Sequence, residues 1–173
     1  MKQTPRIFTT RLRVRYAETD QMGVVYHANY LVWFEIGRVE MLRELGFAYQ
    51  RLESEEDCVL PVVEVNCRYR APARYDEELT LQTRLIASRG SVLKFGYELL
   101  RVGPAGGGEN GGSKLLAEAV TTHVVVDRSL RKRSLPASYA AVLADALVPA
   151  EDDPGPDGLS GSQSSSKAVP REE

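Results

Sequence analysis

One stretch of the chain changes period. Between residues 28 and 45 the apolar side chains Tyr30, Leu31, Phe34, Met41, Leu42 and Leu45 recur at three- and four-residue steps, with Arg43 and Glu44 on other faces. That spacing predicts a helix with a buried side. Asn29 is placed to cap it and Gly46 to end it as a C′ residue. Trp33, Ile36 and Val39 widen the apolar sector, so the helix is expected to be covered on more than one side. Gly37 in its middle costs roughly 1 kcal/mol of helix propensity relative to alanine. Close packing against a sheet or a second subunit would offset that cost.

The other long patterned runs have period two. In residues 7–16, Phe8, Leu12, Val14 and Tyr16 fall on one face with Thr10, and Arg11, Arg13 and Arg15 on the other, as in a half-buried strand. Residues 61–70 place Val63, Val65, Cys67 and Tyr69 together, residues 78–87 Leu79, Leu81, Thr83 and Leu85, and residues 92–102 Leu93, Phe95, Tyr97 and Leu99. Residues 114–126 turn continuously apolar after His123, which suits a central strand covered on both faces. A short helix is expected within 47–54, and a terminal one over 136–148 with Pro136 near its first turn. Strand, long helix, then four strands is an α+β order, with an antiparallel sheet able to wrap the helix. No internal repeat is present.

The links Ala71–Asp76 and Ser88–Ser91 read as turns. Gly103–Ser113, with six glycines, reads as an exposed, mobile hairpin loop. Beyond residue 148 the chain holds Gly, Ser, Pro and acid with one leucine and no aromatic. Such a segment cannot bury enough surface to offset ordering, so one domain over 1–148 and a disordered tail over 149–173 are expected.

Charge and cysteine content exclude several classes. The net charge is −2, and the six acids against Lys167 and Arg171 in 151–173 leave about +2 on the remainder. That balance argues against bulk nucleic-acid binding but tolerates an anionic ligand. No apolar run approaches the ~20 residues of a membrane span, so no transmembrane segment is expected. Cys58 and Cys67 are too few for a disulfide framework or a zinc site, and read as reduced thiols in a cytoplasmic protein, Cys67 in the core. The only histidines, His27 and His123, lie 96 positions apart, so metal-ligand spacing is lacking. A Gly-x-Ser-x-Gly elbow, a phosphate-binding loop and a dinucleotide fingerprint are all absent.

Chemistry concentrates just before the long helix. Asp20 sits in the turn Ala17–Gly23, and His27 follows seven residues later at the helix start. A carboxylate, an imidazole and unsatisfied helix N–H groups together supply a base or nucleophile, a titratable partner and an oxyanion site. Glu18 competes with Asp20 for the carboxylate role, and spacing does not choose between them. His123, inside an apolar strand, reads as a satisfied core histidine; Trp33 and Phe34 read as core.

Taken together, Tyr16-x-x-x-Asp20-x-x-Gly23-Val24-Val25-Tyr26-His27-Ala28-Asn29-Tyr30, then Phe34-Glu35-x-x-Arg38, resemble the hot-dog-fold acyl-CoA thioesterases of the 4-hydroxybenzoyl-CoA thioesterase superfamily, within it the Tol–Pal-associated (YbgC-type) enzymes. The likeness continues through Tyr69–Asp76, Ser88–Ser91, Val124–Asp127 and Leu135-Pro136, and so spans roughly residues 7–145. It implies a five-stranded antiparallel sheet wrapped around the long helix. It also implies homodimers that pair sheet edges, dimers associating further into a tetramer, and active sites at the subunit interface. By the same resemblance Asp20 is the catalytic carboxylate, as nucleophile or as general base on water, with Tyr16 and His27 beside it. The backbone N–H at His27 polarises the thioester carbonyl. Ser88, Arg89, Gly90 and Ser91 match the turn near which the family places coenzyme A, and Arg128, Arg131, Lys132 and Arg133 form a basic cluster nearby in sequence. No metal or organic cofactor is implied. A module of the same fold that binds acyl-CoA without turnover is the alternative, and the presence of Asp20 with His27 favours hydrolysis. A hot-dog dehydratase would need a His-x-x-x-x-Gly-x-Pro context, which residues 27–37 lack.

Overall fold

The computed structural model describes residues 6–47, 49–103 and 112–147. The expectations for the centre of the glycine-rich loop and for the 149–173 tail lie outside these residues. Among these described residues are five strands: β1 (Phe8–Arg13), β2 (Val62–Tyr69), β3 (Glu78–Arg89), β4 (Val92–Arg101) and β5 (Lys114–Val124). The α-helices among the described residues are α1 (Asn29–Glu44), α2 (Tyr49–Ser54) and α3 (Ala137–Ala146). The strands form one sheet in the order β1-β3-β4-β5-β2, with every pairing antiparallel.

The period-two residues of β3 and β4 face the core, where Leu79, Leu81, Thr83, Leu85, Leu93, Phe95, Tyr97 and Leu99 are all buried. Helix α1 packs across β3 and β1 and buries Tyr30, Trp33, Phe34, Met41 and Leu42. Phe34 stacks on Tyr97 of β4, with ring centroids 4.9 Å apart. Gly37 is where the helix sits down on the sheet. A Cβ there would come within 2.5 Å of Leu81 Cδ2 and 2.6 Å of Thr83 Oγ1. The propensity cost of that glycine is therefore met by close packing on β3, the first of the two alternatives its position raised. Gly46 ends the helix with φ +83°, as its C′ role requires. Leu31, Val32 and Ile36 of the same helix stay exposed.

β5 carries three consecutive buried residues, Thr121, Thr122 and His123, so both of its faces are covered there. β2 is different. It forms the sheet edge beyond β5, and all of its residues except the partly buried Cys67 are exposed. Its pairing register shifts between Val62 and Glu64, so Val62 and Val65, and not Val63, line a common cavity. The buried thiol is Cys58.

Two boundaries depart from the sequence pattern. The first strand stops at Arg13, because the Glu18 carboxylate takes the Arg15 N–H at 2.7 Å and bends the chain into a 3-10 turn over Tyr16–Glu18. Tyr16 thus leaves the strand face and is 77% exposed. Asn29 is the first helical residue and does not cap α1, since its Nδ2 donates to the Glu18 carbonyl at 2.8 Å.

Candidate active site

The loop between β1 and α1 is built around Glu18. Its side chain is buried and accepts from Arg15 N–H, from Arg15 Nη2 at 2.8 Å and from Trp33 Nε1 at 3.0 Å. Burial pushes its carboxyl up, but the donors of Arg15 and Trp33 outweigh that and hold it below the usual carboxylate range. Its carbonyl accepts from Tyr26 N–H at 2.9 Å as well as from Asn29. Of the two carboxylates that spacing left open, Glu18 is consumed in tying the loop to the start of α1.

Asp20 is free of such duties. Oδ1 accepts Met22 N–H at 2.8 Å, the backbone closes a turn through Gly23 N–H to Asp20 O at 3.0 Å, and Gly23 takes φ +71°. Oδ2 accepts from no donor among the described residues. Asp20 and His27 line one cavity of about 340 Å³ together with Tyr30, Tyr69, Arg70 and Pro72. Ala71 and Pro72, in a link which sequence pattern reads as a plain turn, form a wall of this cavity. Ala73 O accepts Val25 N–H at 2.9 Å, and Ala73 N–H donates to Tyr30 Oη at 3.0 Å. Burial raises the Tyr30 phenol, against the smaller opposing effect of that bond. The N–H groups of His27 and Ala28 donate to no acceptor among the described residues. A developing anion at this helix start would meet both.

The other anticipated residues lie elsewhere in the chain. Tyr16 does not line the cavity; its ring meets Tyr75 edge-on at 5.7 Å. Ser88 and Arg89 end β3 and Gly90-Ser91 form the two-residue turn to β4, with Gly90 at φ +59° as a primed hairpin turn requires. Val62 pairs with His123, near that turn, whereas Tyr69 pairs with Ala117. Six residues of β5 separate the two ends, about 20 Å at a strand's rise. Within a single chain, then, the turn and Asp20 lie at opposite ends of the sheet. Half of the basic cluster is already committed: Arg133 and Arg128 reach Asp57 at 3.6 and 3.9 Å, Arg128 donates to the Glu53 carbonyl and Arg133 to those of Glu56 and Asp57.

A second cavity, of about 310 Å³, opens between α1 and the β5–β2 side of the sheet, with walls that include Leu31, Phe34, Val62 and Val65. Its floor is a hydrogen-bonded run: Tyr97 Oη to Thr121 Oγ1 at 2.9 Å, Thr121 Oγ1 to His123 Nε2 at 2.9 Å, and His123 Nδ1 to Leu60 O at 3.1 Å. Burial pushes the His123 imidazole down to about 4, so the ring is neutral near pH 7. The Leu60 carbonyl can only accept, so the proton is on Nδ1, Thr121 donates to Nε2, and Tyr97 donates to Thr121. His123 is the satisfied core histidine its surroundings in sequence predict. Among the described residues no cluster of three or more His, Cys, Asp or Glu could hold a metal ion, and no helix is long and apolar enough to cross a membrane.

Comparison with known proteins follows the same line. Residues 14–147 match the family described as the Thioesterase-like superfamily. The chain is 40% identical over 117 residues to the putative acyl-CoA thioesterase YneP of Bacillus subtilis, covering 68% of this chain and 78% of that protein. It is 37% identical over 136 residues to the acyl-CoA thioester hydrolase YbgC of Escherichia coli O157:H7, covering 78% and 94%. Among solved structures, Slr0204, a 1,4-dihydroxy-2-naphthoyl-CoA thioesterase from Synechocystis, superposes with a TM-score of 0.69 at 26% identity over 81% of this chain and 97% of that one.

Proposed function

Since the chain belongs to the Thioesterase-like superfamily, we propose that it is an acyl-CoA thioesterase, cleaving an acyl-CoA to the free acid and coenzyme A. The architecture is the hot-dog fold, a five-stranded antiparallel sheet with the long helix against it. One observation carries the assignment to a site: Asp20 and His27 line the same cavity where the N–H groups at the start of α1 are open.

The chemistry needs little else. A thioester carbonyl is already electrophilic and a thiolate is a competent leaving group, so a carboxylate and an oxyanion site suffice. By one route Asp20 takes a proton from water as the water oxygen bonds to the carbonyl carbon. By the other, Asp20 bonds to that carbon itself and water then cleaves the resulting anhydride. In both, the carbonyl electron pair moves onto oxygen, held by the backbone N–H groups. Its return breaks the C–S bond, and the proton released from water ends on the coenzyme A sulfur. The His27 imidazole, exposed at the cavity, orients the water or steadies Asp20. Tyr16 borders the same loop and belongs to the proposed site as a neighbour reaching substrate from outside the cavity.

The working unit is proposed to be a homodimer paired through β2, with pairs of dimers joining as a tetramer. An antiparallel pairing of two β2 edges sets the Val62 end of one strand against the Tyr69 end of the other. It would thereby carry one subunit's Ser88–Ser91 turn, the candidate coenzyme A contact, toward its partner's Asp20. That reversal reconciles the 20 Å separation within one chain with a single composite site. The free thiols Cys58 and Cys67 support a reducing, cytoplasmic setting.

The test is thiol release from short, medium, long and aromatic acyl-CoAs by the wild type and by Asp20→Asn. The variant is expected to lose roughly 10²–10⁴-fold in turnover with mass and melting temperature unchanged. Undiminished turnover would remove Asp20 from the reaction. Binding without release by the wild type would mark a non-hydrolytic acyl-CoA module.

A further inference from the structure

The peptides on either side of His27 both have their carbonyls anchored. Tyr26 O accepts Asn29 N–H at 2.9 Å, which fixes the plane of the peptide carrying the His27 N–H. His27 O accepts Tyr69 Oη–H at 3.0 Å, which fixes the plane of the next peptide, the one carrying the Ala28 N–H. In a planar trans peptide the N–H points opposite to the C=O. Anchoring the two carbonyls therefore aims the two N–H groups, neither of which donates to an acceptor among the described residues. The first anchor is local and comes with the helix start. The second comes from across the fold, 42 residues away, and is the one hydrogen bond from a β2 side chain to this loop among the described residues.

Tyr69 is built to hold that bond. It stands on the last residue of β2, and Tyr30 braces its ring edge-on at 5.0 Å, Tyr30 itself being tied to Ala73 N–H. Desolvation pushes its phenol up to about 12, so the hydroxyl stays a donor throughout the neutral range. Its ring also faces the His27 imidazole at 6.5 Å.

We propose that Tyr69 is a positioning residue that orients the His27–Ala28 peptide, so that the site presents two backbone donors, His27 N–H and Ala28 N–H, to the reacting carbonyl oxygen. This rests on the hydrolytic reading, and it deepens it. The oxyanion site is a pair of amides, and one of the pair is aimed from the edge strand through which subunits are proposed to join. A hydroxyl lost from Tyr69 leaves Asp20, His27 and the Tyr69 ring in place at the cavity and loosens the second donor.

The test is Tyr69→Phe, which keeps the ring and its contact with Tyr30. On a cleaved acyl-CoA, kcat is expected to fall roughly ten- to a hundredfold with KM within about twofold and the dimer intact. Amide hydrogen exchange adds a readout that needs no turnover, with faster exchange expected at residues 27–30 and unchanged exchange in β3 and β4. Wild-type kcat in the variant would overturn the proposal. So would equal losses in kcat and 1/KM together with a lower melting temperature, which would make Tyr69 merely structural. Failure of the hydrolytic reading looks different: wild type and variant would both lack thiol release, and the exchange comparison alone would then decide whether Tyr69 orders the loop.

Discussion

The two edges of the sheet carry similar sequences and meet different fates. β1 and β2 both alternate apolar with polar or charged residues. On β1 the apolar side lies under α1, where Phe8, followed by Val14 just past the strand, is buried. On β2 the equivalent side is open, with Val62, Val65 and Tyr69 each at least 41% exposed. A helix placed over β1 and β3 leaves β2 without cover on that face, and Leu31 and Val32 of α1 border the gap. An open edge with unpaired backbone groups and exposed valines is a template for another strand. The difference separates an edge finished within the chain from one that the proposed dimer completes.

The sharpest way to break this comparison is a charge on the open edge. Val65→Lys places an ammonium on the apolar side of β2 without touching Asp20 or His27. It is expected to yield monomers by light scattering and to lower turnover by about a hundredfold or more, since the two halves of the site would no longer meet. The fold should survive, because exposed positions rarely cost more than ~0.5 kcal/mol. A dimer of unchanged mass and full turnover would place the subunit contact on another face.

The second expectation concerns the strand beside that edge. His123 pairs with Val62, and its folded pKa of about 4 lies below the ordinary histidine value. The unfolded chain therefore binds a proton between about pH 6.5 and 4 that the folded chain does not. The sign follows: this contribution to stability is full above pH 6.5, declines as pH falls, and levels off below about 4. Its size is on the order of 3 kcal/mol. Urea midpoints measured from pH 7.5 to 4 should show that slope, and His123→Gln should flatten it. An unchanged slope in the variant would assign the loss to carboxylates elsewhere.

Much of this arrangement was legible in the residues, and the exceptions share a cause. Period two marked four of the strands, a continuous apolar run marked β5 and period 3.6 marked α1, because those patterns reflect which sides meet the core. The same alternation at β2 says only that one side is apolar; it does not say whether that side meets this chain or another. Gly37 shows the same limit, since its sequence position allowed sheet or subunit, and only the approach of Leu81 and Thr83 chose. At the site, spacing set Glu18 and Asp20 equal. The resemblance pointed to Asp20, and in the structure Arg15 and Trp33, the latter fifteen residues on, occupy Glu18 while Asp20 keeps an open oxygen. Tyr69 as the anchor of His27 O was similarly out of reach, because the bond spans 42 positions and two elements. What local pattern misses here is long-range hydrogen bonding by single side chains.

The smallest effect is expected at the closed edge, and it is the control for the open one. Arg13 on the polar side of β1 reaches Asp76 at 3.1 Å and also pairs with Glu78, with about half or more of each side chain in solvent. Such pairs gain little in water, lose side-chain entropy and are screened by salt. Arg13→Ala is therefore expected to shift the unfolding free energy by less than about 1 kcal/mol, by less still in 1 M salt, and to leave mass and turnover unchanged. Urea melts at low and high salt together with light scattering test this directly. If removing Arg13 instead split the assembly, β1 would be an interface too, and the contrast between a finished and an unfinished edge would no longer hold.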